Sequence, residues 1–494
     1  MVSRLRSLDY KWFVAAAFVF GIFMDIMDST IVNVALPVLG KDFRAGNNTL
    51  EWVVTGYLLS LAVWIPASGW IGDRFGTKKT FMFALAMFVT GSALCGVSQS
   101  IGQLIFFRVL QGVGGGMMTP VGTAMLFRAF PPAERARASV VLMIPTIIAP
   151  TLGPILGGWL VTDVSWRWIF YVNLPIGLLG LVFTGLFLRE HREEKAGSFD
   201  LWGFLFSGSG LALLLYALSQ APNDGWTSGI VLSTGIAGAI CFVLLIIAEL
   251  RVAEPMLDLR LLTDRMFRNA NLAFFMSMGG MLGVLFLLPL FLQELIGLSA
   301  LQSGLTTFPQ ALGMVAIIPL AGRLYPRTGP RRMMALGLTG ITITTALFLL
   351  VDLQTSLWWI RGIMVLRGFG FGFMMIPAQT ATFATIRPPD MGRASAYFNT
   401  NRQVAGSVGV AVLATVLVSR TTTHVAAAVA AAAPAARQAA IQHGTLLAYH
   451  DAYFVGVLIA AVGIAFAFLI HDEDAAETMV VRSSGRKPEP VAVH

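Results

Sequence analysis

Residues 12–38 read "WFVAAAFVFGIFMDIMDSTIVNVALPV", an almost wholly apolar stretch that carries two carboxylates, Asp25 and Asp28, near its middle. A run of this length crosses a hydrocarbon core about 30 Å thick as a single helix. Acidic side chains are costly at that depth, and those found there usually face the interior of a helix bundle or a water-filled cavity. The stretch therefore predicts a membrane helix whose two acids have a function.

The composition extends this prediction to the whole chain. Its 494 residues are 56% hydrophobic and only 12% charged, with a mean hydropathy of +0.74. Soluble domains carry about 25% charged residues. We count fourteen apolar segments along the chain, so we predict an all-α polytopic membrane protein with fourteen transmembrane helices.

The distribution of basic residues predicts the orientation of these helices. Most of the 34 lysines and arginines lie in the termini and in alternate loops, such as "GDRFGTKK" at 72–79 and "REHREEK" at 189–195. The intervening loops, for example "SQS" at 98–100 and "DLQTS" at 352–356, carry few. Loops rich in lysine and arginine stay on the cytoplasmic side. We therefore expect a multi-pass protein of a bacterial cytoplasmic (inner or plasma) membrane with both termini in the cytoplasm, and the net charge of +8 implies no nucleic-acid partner.

The two halves of the chain share a sequence pattern. "GWIGDRFGTKKT" at 69–80 and "AGRLYPRTGPRRMM" at 321–334 both combine glycines with a basic turn. "RVLQGVGGGMMTP" at 108–120 and "RGFGFGFMMIPA" at 367–378 both follow an arginine with spaced glycines, a methionine pair and a proline. Related bundles with a site near the midplane between them are typical of transporters.

Two apolar segments, at about 200–249, have no counterpart in this repeat and read as an inserted pair. The predicted domains are an N-terminal six-helix bundle (1–190), an inserted two-helix linker (191–252), a C-terminal six-helix bundle (253–472) and a cytoplasmic tail (473–494).

Six motifs stand in a characteristic order. They are "MDSTIVNVALP" at 27–37, "GWIGDRFGTKK" at 69–79, "LIFFRVLQGVGGG" at 104–116, "APTLGPILGGWL" at 149–160, "WRWIFYVNLPIG" at 166–177 and "GRASAYFNTNRQVAGSVGVAVL" at 392–413. The chain thereby resembles the major facilitator superfamily, specifically its fourteen-helix drug:proton antiporter branch (the EmrB/QacA type). The resemblance implies the major facilitator fold and proton-driven export, with the proton gradient in place of any cofactor.

The motif at 69–79 implies, through the resemblance, a conformational latch between the two bundles. Its residues are Gly69, Gly72, Asp73, Arg74, Gly76 and Lys78. Asp73 can stabilise a helix N-terminus or pair with a cation, and Gly76 permits a tight turn. The simpler alternative is that this loop only anchors the chain by its positive charge.

The motif at 149–160 resembles the antiporter motif, carried by Pro150, Gly153, Pro154, Gly157 and Gly158. Gly153 and Gly157 are four residues apart and share one helix face, which permits close helix approach. We expect this face to seal against the second bundle, although plain packing explains it too.

We assign proton coupling to Asp28, Asp25 and Arg108. Asp25, Asp28, Ser29, Val32 and Asn33 share one helix face, a polar stripe on an apolar helix. Arg108 lies inside an apolar segment, where a charge needs a partner or a cavity, and a nearby arginine favours the ionised form of a carboxyl group. Asp28 matches the signature acid of the family's first helix. Asp25 is either a cavity acid or a structural, hydrogen-bonded one.

A large apolar pocket with aromatic walls suits hydrophobic or cationic compounds. The residues that we assign to it are Asn33, Tyr57, Trp64, Met143, Phe275, Phe398 and Arg402, and core packing explains its apolar members about as well. The predicted function is export of such drugs in exchange for protons, and the alternative is export of a specific endogenous metabolite, lipid or antibiotic.

Other classes of function find no support in the sequence. No metal-ligand spacing and no GxxxxGK[ST] phosphate loop occurs, so we predict neither a metal site, nor an enzyme, nor an ATP-driven pump. The expected partners are protons, small hydrophobic or cationic substrates and the lipid bilayer. We expect the protein to function as a monomer. The Ala-rich stretch 420–447 is either a surface hairpin or loop, or a docking site for an extracytoplasmic adaptor.

Overall fold

The computed structural model describes residues 9–193, 197–252 and 255–479, and every regular element in these ranges is a helix. The part of the predicted tail at 480–494 lies outside these ranges. The long helices are α1 Tyr10–Phe43, α2 Asn47–Phe75, α3 Thr77–Val97, α4 Ile101–Ala129, α5 Arg135–Trp159, α6 Asn173–Phe187, α7 Leu201–Asp224, α8 Gly229–Arg251, α9 Arg265–Leu290, α10 Pro309–Ala346, α11 Leu357–Thr382, α12 Met391–Ala431 and α13 Arg437–Phe468. Short helical turns connect them, among them Trp168–Tyr171 before α6 and Asp472–Thr478 after α13.

The described residues contain twelve helical stretches that are long and apolar enough to cross a membrane. One of these, Gln302–Leu350, has 49 residues, which makes about 74 Å of helix, more than twice the thickness of a hydrocarbon core. It is interrupted at Gly329, where φ is 77° and ψ is 163°, so α10 consists of two arms. The apolar stretch 148–164, at the end of α5, is shorter than the twelve. The all-α membrane fold is therefore confirmed, and the number of fourteen crossings stays a prediction.

A carboxylate caps α3 after a glycine turn. Gly76 separates α2 from α3 and has a φ of 101°, a conformation that costs little only for glycine. The backbone N–H groups of Lys78 and Lys79 donate to the carboxylate of Glu190, at 3.0 and 3.2 Å. Glu190 follows the last helix of the N-terminal half, so it satisfies free donors at the start of α3.

The second half repeats this arrangement. Gly329 separates the two arms of α10, and the N–H of Arg331 donates to Asp472 at 2.9 Å. Asp472 follows α13, the last helix of the C-terminal half. The two halves thus share a glycine turn, a helix that follows it and a carboxylate that caps this helix. This correspondence is what the sequence repeat leads us to expect.

Helices α1–α6 pack into one bundle and helices α9–α13 into another. The two meet along α12, which crosses α2 and α4, and along α5, which contacts α10 and α11. One buried apolar cluster contains side chains from both halves. The rings of Phe127 and Phe383 stack across the junction with centroids 4.4 Å apart.

The inserted helices α7 and α8 pack on each other, and α7 also contacts α2 and α12. Three tryptophans of α2 each meet an aromatic ring of the inserted segment. The centroid separations are 5.6 Å for Trp52 with Tyr216, 5.4 Å for Trp64 with Phe204 and 4.8 Å for Trp70 with Phe199. Residue numbers rise on one side of this seam as they fall on the other, so α7 runs antiparallel to α2. On the far side, the indole N–H of Trp226 donates to Thr415 of α12 at 2.8 Å.

The stretch 420–447 is a helical hairpin that continues α12 and α13 beyond the bundle. Its two helices are joined by a turn at Pro434–Ala436. Asp451 of α13 lies 3.3 Å from Arg420 and 2.9 Å from His424 on α12. With 41 residues, α12 is about 60 Å long, so it exceeds one hydrocarbon core.

The turn Asp472–Thr478 folds back onto the second bundle. Arg265, at the start of α9, donates two hydrogen bonds to Asp474, at 2.7 and 2.8 Å. These bonds lower the pKa of the Asp474 carboxyl group. Thr478 shares a hydrogen bond of 2.7 Å with the buried hydroxyl of Tyr325. This part of the predicted tail is therefore packed against the helices.

Candidate functional site

Helix α1 carries both acids into the interior of the N-terminal bundle. Asp28 is completely buried and Asp25 is 7% exposed. The rest of the predicted polar stripe is not uniformly buried, because Asn33 is exposed and donates to the carbonyl of Ser29 at 3.2 Å. The two carboxylates therefore form the buried part of the stripe.

Asp28 lies in a closed cluster of hydrogen bonds. Arg108 contacts its carboxylate at 2.5 Å, Gln111 donates to it at 2.9 Å, and Asn173 donates to it at 3.0 Å. All three partners belong to α4 and α6, within the same bundle. Gln111 and Asn173 are absent from the residues predicted from sequence, although both stand inside quoted motifs, "RVLQG" and "VNLPIG".

Arg108 is 1% exposed, and the hydrogen bonds of its guanidinium go to residues of this bundle. It donates to the backbone carbonyl of Val53 at 3.1 Å and to the amide oxygen of Gln111 at 2.7 Å. Its charged group also lies 4.1 Å from the centre of the Tyr57 ring, close enough for a cation–π interaction. Arg108 thus lies against a carboxylate, and that carboxylate is Asp28, while the part of the pair in proton coupling stays a prediction.

Tyr57 connects the two acids. Its hydroxyl donates a short hydrogen bond to Asp25, while its ring lies beneath Arg108. Thr119 donates to the other oxygen of Asp25 at 3.2 Å. Asp25 is thus hydrogen-bonded by α2 and α4, and Tyr57 places it next to the Asp28 cluster.

Arg402 faces this site from the second bundle. It shares a helix face with Ser395, whose hydroxyl donates to the carbonyl of Pro120 on α4 at 2.6 Å. Arg402 is half-buried, and no hydrogen bond or ion pair links it to any described residue, but it interacts electrostatically with Asp25. Arg402, on the opposite bundle, therefore lies within electrostatic range of Asp25.

Arg367 occupies the position in α11 that Arg108 occupies in α4, yet its surroundings differ. It donates to the hydroxyl of Thr345 at 2.6 Å and to the carbonyl of Gly280 at 3.0 Å. Within the described part of the chain it has no carboxylate partner. Both halves therefore have an arginine at this position, but only the arginine of the first half, Arg108, has a carboxylate partner among the described residues.

The predicted latch joins the two bundles at the end of the molecule that holds Tyr10 and Phe468, here called the terminal end. Arg128 contacts Asp73 at 2.8 Å and donates to the carbonyl of Pro388, in the second bundle, at 3.1 Å. A Cβ atom added to Gly69 would lie 2.6 Å from the carbonyl oxygen of Gly392. Helices α2 and α12 therefore touch through two glycines, and the terminal end is closed.

Other bonds add to this closure. Arg135 donates to the carbonyls of Phe383 and Ala384. The hydroxyls of Ser139 and Thr380 lie 2.9 Å apart. The remaining motif residues are less involved, because Arg74 is exposed and the ammonium of Lys78 donates to Gly185 within its own bundle at 2.8 Å.

The small face of α5 packs against α1 and not against the second bundle. A Cβ added to Gly153 would collide with Thr30, and one added to Gly157 would lie 2.8 Å from Ile31. Gly158 has open space around it. The predicted seal between bundles is therefore wrong for these glycines, because a small-residue face determines how closely helices approach but not which helix is the neighbour. Pro150 is half-buried, and the side chain of Pro154 lies outside the described part of the structure.

The residues predicted to line a pocket fall into separate places. Met143 and Phe398 are buried in the apolar cluster shared by the bundles, and Phe275 packs against it. Tyr57 binds Asp25, as described. Trp64 lies at the seam with α7. Only the first three therefore lie together at the junction of the bundles.

The described residues offer no group of three His, Cys, Asp or Glu side chains able to hold a metal ion. The site is therefore built from two carboxylates, one paired arginine and one unpaired arginine. Side chains of these types can exchange protons and bind charged groups.

Comparison with known proteins places this site in context. A family model described as Major Facilitator Superfamily matches residues 18–410. The chain is 37% identical over 404 residues to a multidrug resistance protein B homolog of Mycobacterium tuberculosis (strain ATCC 25618 / H37Rv), covering 79% of this chain and 73% of that protein. It is 31% identical over 430 residues to the fatty acid resistance protein FarB of Neisseria gonorrhoeae, covering 85% and 83%. The crystal structure of the human organic anion transporter MFSD10 (TETRAN) shares the fold, with a TM-score of 0.63 at 17% identity over 91% of this chain and 99% of that one.

Proposed function

Because the chain belongs to the major facilitator superfamily, we propose that it is a proton-coupled carrier that exports hydrophobic or cationic small molecules by alternating access. The observation that carries this proposal is the fully buried ion pair of Asp28 and Arg108. Charges inside a membrane protein are expensive and usually functional. The relatives named for multidrug and fatty acid resistance support export as its direction.

Asp28 is the proposed coupling acid. A proton on Asp28 removes the charge that balances Arg108, and a buried charge without a partner costs several kcal/mol. Protonation is therefore unfavourable unless Arg108 and its neighbours rearrange. A change of conformation that separates Asp28 from Arg108 removes this obstacle, and this links proton binding to the transport cycle.

Tyr57 is the proposed connection between this pair and the second bundle. The contacts of Asp28 all lie within the first bundle, so rigid-body rocking alone leaves them unchanged. Arg402, by contrast, faces Asp25 from the opposite bundle. When the bundles separate, Asp25 loses this neighbouring charge, its bond to Tyr57 changes, and the ring beneath Arg108 moves. Asp25 thus acts as a cavity acid that reports the position of the bundles.

The closed terminal end suggests which state the structure represents. With the termini in the cytoplasm, as the basic loops predict, closure there corresponds to an outward-facing or occluded carrier. The contact of Asp73 with Arg128 and the bond from Arg128 to Pro388 are then the latch that keeps the cytoplasmic side shut.

Export of an endogenous lipid or metabolite is the second candidate. The relative named fatty acid resistance protein favours it. The same proton coupling serves either cargo, so the distinction rests on the substrate alone.

Assembly and location complete the proposal. We place the carrier in the cytoplasmic membrane as a monomer, with no cofactor besides the proton gradient. The helical hairpin at 420–447 extends beyond the bundle and is the surface that an extracytoplasmic adaptor would contact.

Transport in proteoliposomes with an imposed pH gradient tests the proposal. With ethidium as the probe, the wild type should export against its concentration gradient, and Asp28→Asn should fall to the rate of passive leak. Asp25→Asn is the second variant, because it leaves the Asp28–Arg108 pair in place and removes the acid that is proposed to report the position of the bundles. It should lower the rate of gradient-driven export without reducing it to passive leak, and it should change the range of cations that are carried.

If Asp28→Asn exports ethidium uphill at the wild-type rate, Asp28 is not the coupling acid. Wild-type transport that continues after the gradient is collapsed would refute proton antiport. Gradient-driven movement of oleate without movement of ethidium would select the lipid exporter instead.

A further inference from the structure

A groove on the outside of the N-terminal bundle has features that the transport site does not use. Its volume is about 520 Å³, and it lies beside the seam between α2 and the inserted segment. Trp64, Trp70 and Phe75 of α2, Phe83 of α3 and Phe199 line it, and nearly all of its wall is apolar. Phe75 and Phe83 are more than half exposed, so the groove opens sideways, toward the hydrocarbon.

The length of the groove corresponds to one leaflet of a bilayer. From Phe75 to Trp64 there are eleven residues of helix, or about 16 Å. Half of a hydrocarbon core is about 15 Å thick. One extended acyl chain therefore fits the groove along its whole length.

One end of the groove is charged. Lys79 lines the groove at the terminal end, where α2 stops and α3 begins. Its ammonium group makes no hydrogen bond or ion pair with a described residue, whereas the ammonium of neighbouring Lys78 is held by the carbonyl of Gly185. A free cation at the interface level of an apolar groove complements an anionic headgroup above an acyl chain.

We propose that this groove binds an anionic phospholipid, with one acyl chain along Trp64, Trp70 and Phe75 and the phosphate at Lys79. This site is separate from the Asp28 cluster and does not depend on what the carrier exports. The bound lipid fills the gap beside the inserted pair, so it joins α7 to α2 where the aromatic seam leaves space.

Quenching of tryptophan fluorescence by brominated lipids tests this site. The full-length protein is reconstituted in phosphatidylcholine vesicles doped with either brominated phosphatidylglycerol or brominated phosphatidylcholine. In the wild type, the anionic lipid should reach half-maximal quenching at about a fivefold lower mole fraction, since one lysine at the surface contributes about 1 kcal/mol. Lys79→Gln should abolish this preference, and the matched variant Lys78→Gln should keep it.

Val113→Phe supplies an independent arm, because Val113 lines the groove and a larger side chain there fills it. This variant should remove the saturable part of the quenching and leave the background from surrounding lipid. Equal quenching by the two lipids in the wild type would overturn the proposal, as would equal effects of Lys79→Gln and Lys78→Gln. A groove covered by a second copy of the chain, or occupied by the exported compound, also gives equal quenching.

Discussion

Tyr57 is central to the site, although the sequence gives little indication of its role. Its hydroxyl binds Asp25, and its ring supports the arginine that binds Asp28. From the sequence, the burial of Asp28 and its pairing with Arg108 follow from the cost of two charges in apolar segments. The roles of Tyr57, Gln111 and Asn173 do not follow, because a polar residue in a membrane helix shows no partner until the neighbouring helices are placed.

Removing Arg108 should be far more damaging than removing an exposed arginine. Arg108→Met leaves a buried carboxylate without its partner, which costs about 3–5 kcal/mol of stability. Combining it with Asp28→Leu should recover much of that loss, because no charge then stays buried. Unfolding of the purified protein in detergent measures each step of this double-mutant cycle.

Arg420→Met is the control for that cycle. Arg420 is 55% exposed in its contact with Asp451, and such surface pairs contribute about 0–1 kcal/mol. If the loss of stability in the double variant equals the sum of the losses for Arg108→Met and Asp28→Leu, the two residues are not a coupled pair.

At the scale of elements, the start of α3 and the second arm of α10 are built alike. Each follows a glycine with positive φ and each is capped by a carboxylate from the end of its own half. The glycines and the basic turns are visible in the sequence repeat. The capping acids are not, because Glu190 and Asp472 lie more than a hundred residues along the chain from the N–H groups of Lys78 and Arg331 that they cap.

Asp472→Ala should therefore destabilise the second bundle. Loss of a capping side chain costs about 0.5–2 kcal/mol. Glu473→Ala is the matched control, since Glu473 is exposed and should change stability little. Thermal unfolding in detergent measures both variants, and an equal effect of the two would show that Asp472 does not cap α10.

Gly329→Ala should cost more than Asp472→Ala in the same measurement. The added methyl group meets the carboxylate of Asp472 at 2.6 Å, and the backbone there has a φ of 77°. A Gly329→Ala protein as stable as the wild type would mean that the turn between the arms of α10 relaxes freely.

For the whole molecule, the helices pack into two bundles, as the sequence repeat predicts, and the motif at 69–79 lies where the bundles meet. The predicted packing of the glycine face of α5 against the second bundle is wrong, because Gly153 and Gly157 lie against α1. A glycine face predicts close packing, and the neighbour is decided by the complete arrangement of helices. The inserted helices were equally hard to place, because a helix that is apolar on every side shows no face that must be buried.

Gly69→Val should open the terminal end. Its side chain would press on the carbonyl of Gly392, and overpacking of this kind costs about 1–3 kcal/mol. That penalty applies only while the terminal end is closed, so it shifts the equilibrium toward the open form. A penalty of about 1.4 kcal/mol changes the ratio of open to closed molecules tenfold. Spin labels at the exposed positions 137 and 387 should report longer distances.

Gly102→Val is the control, because a side chain at Gly102 meets no atom within 4 Å. It should leave the distance distribution as it is in the wild type. An unchanged distribution for Gly69→Val would mean that the glycine contact does not hold the bundles together.

The aromatic seam between α2 and α7 gives the molecule two unequal flanks. On one flank α7 lies against both α2 and α12, so it covers the line along which the bundles meet. On the other flank α5 contacts α10 and α11 directly, and in the described part of the chain the inserted helices α7 and α8 make no extensive contact with α5. One flank of the junction is therefore covered by an inserted helix and the other is not, so the molecule has a front and a back within the plane of the membrane.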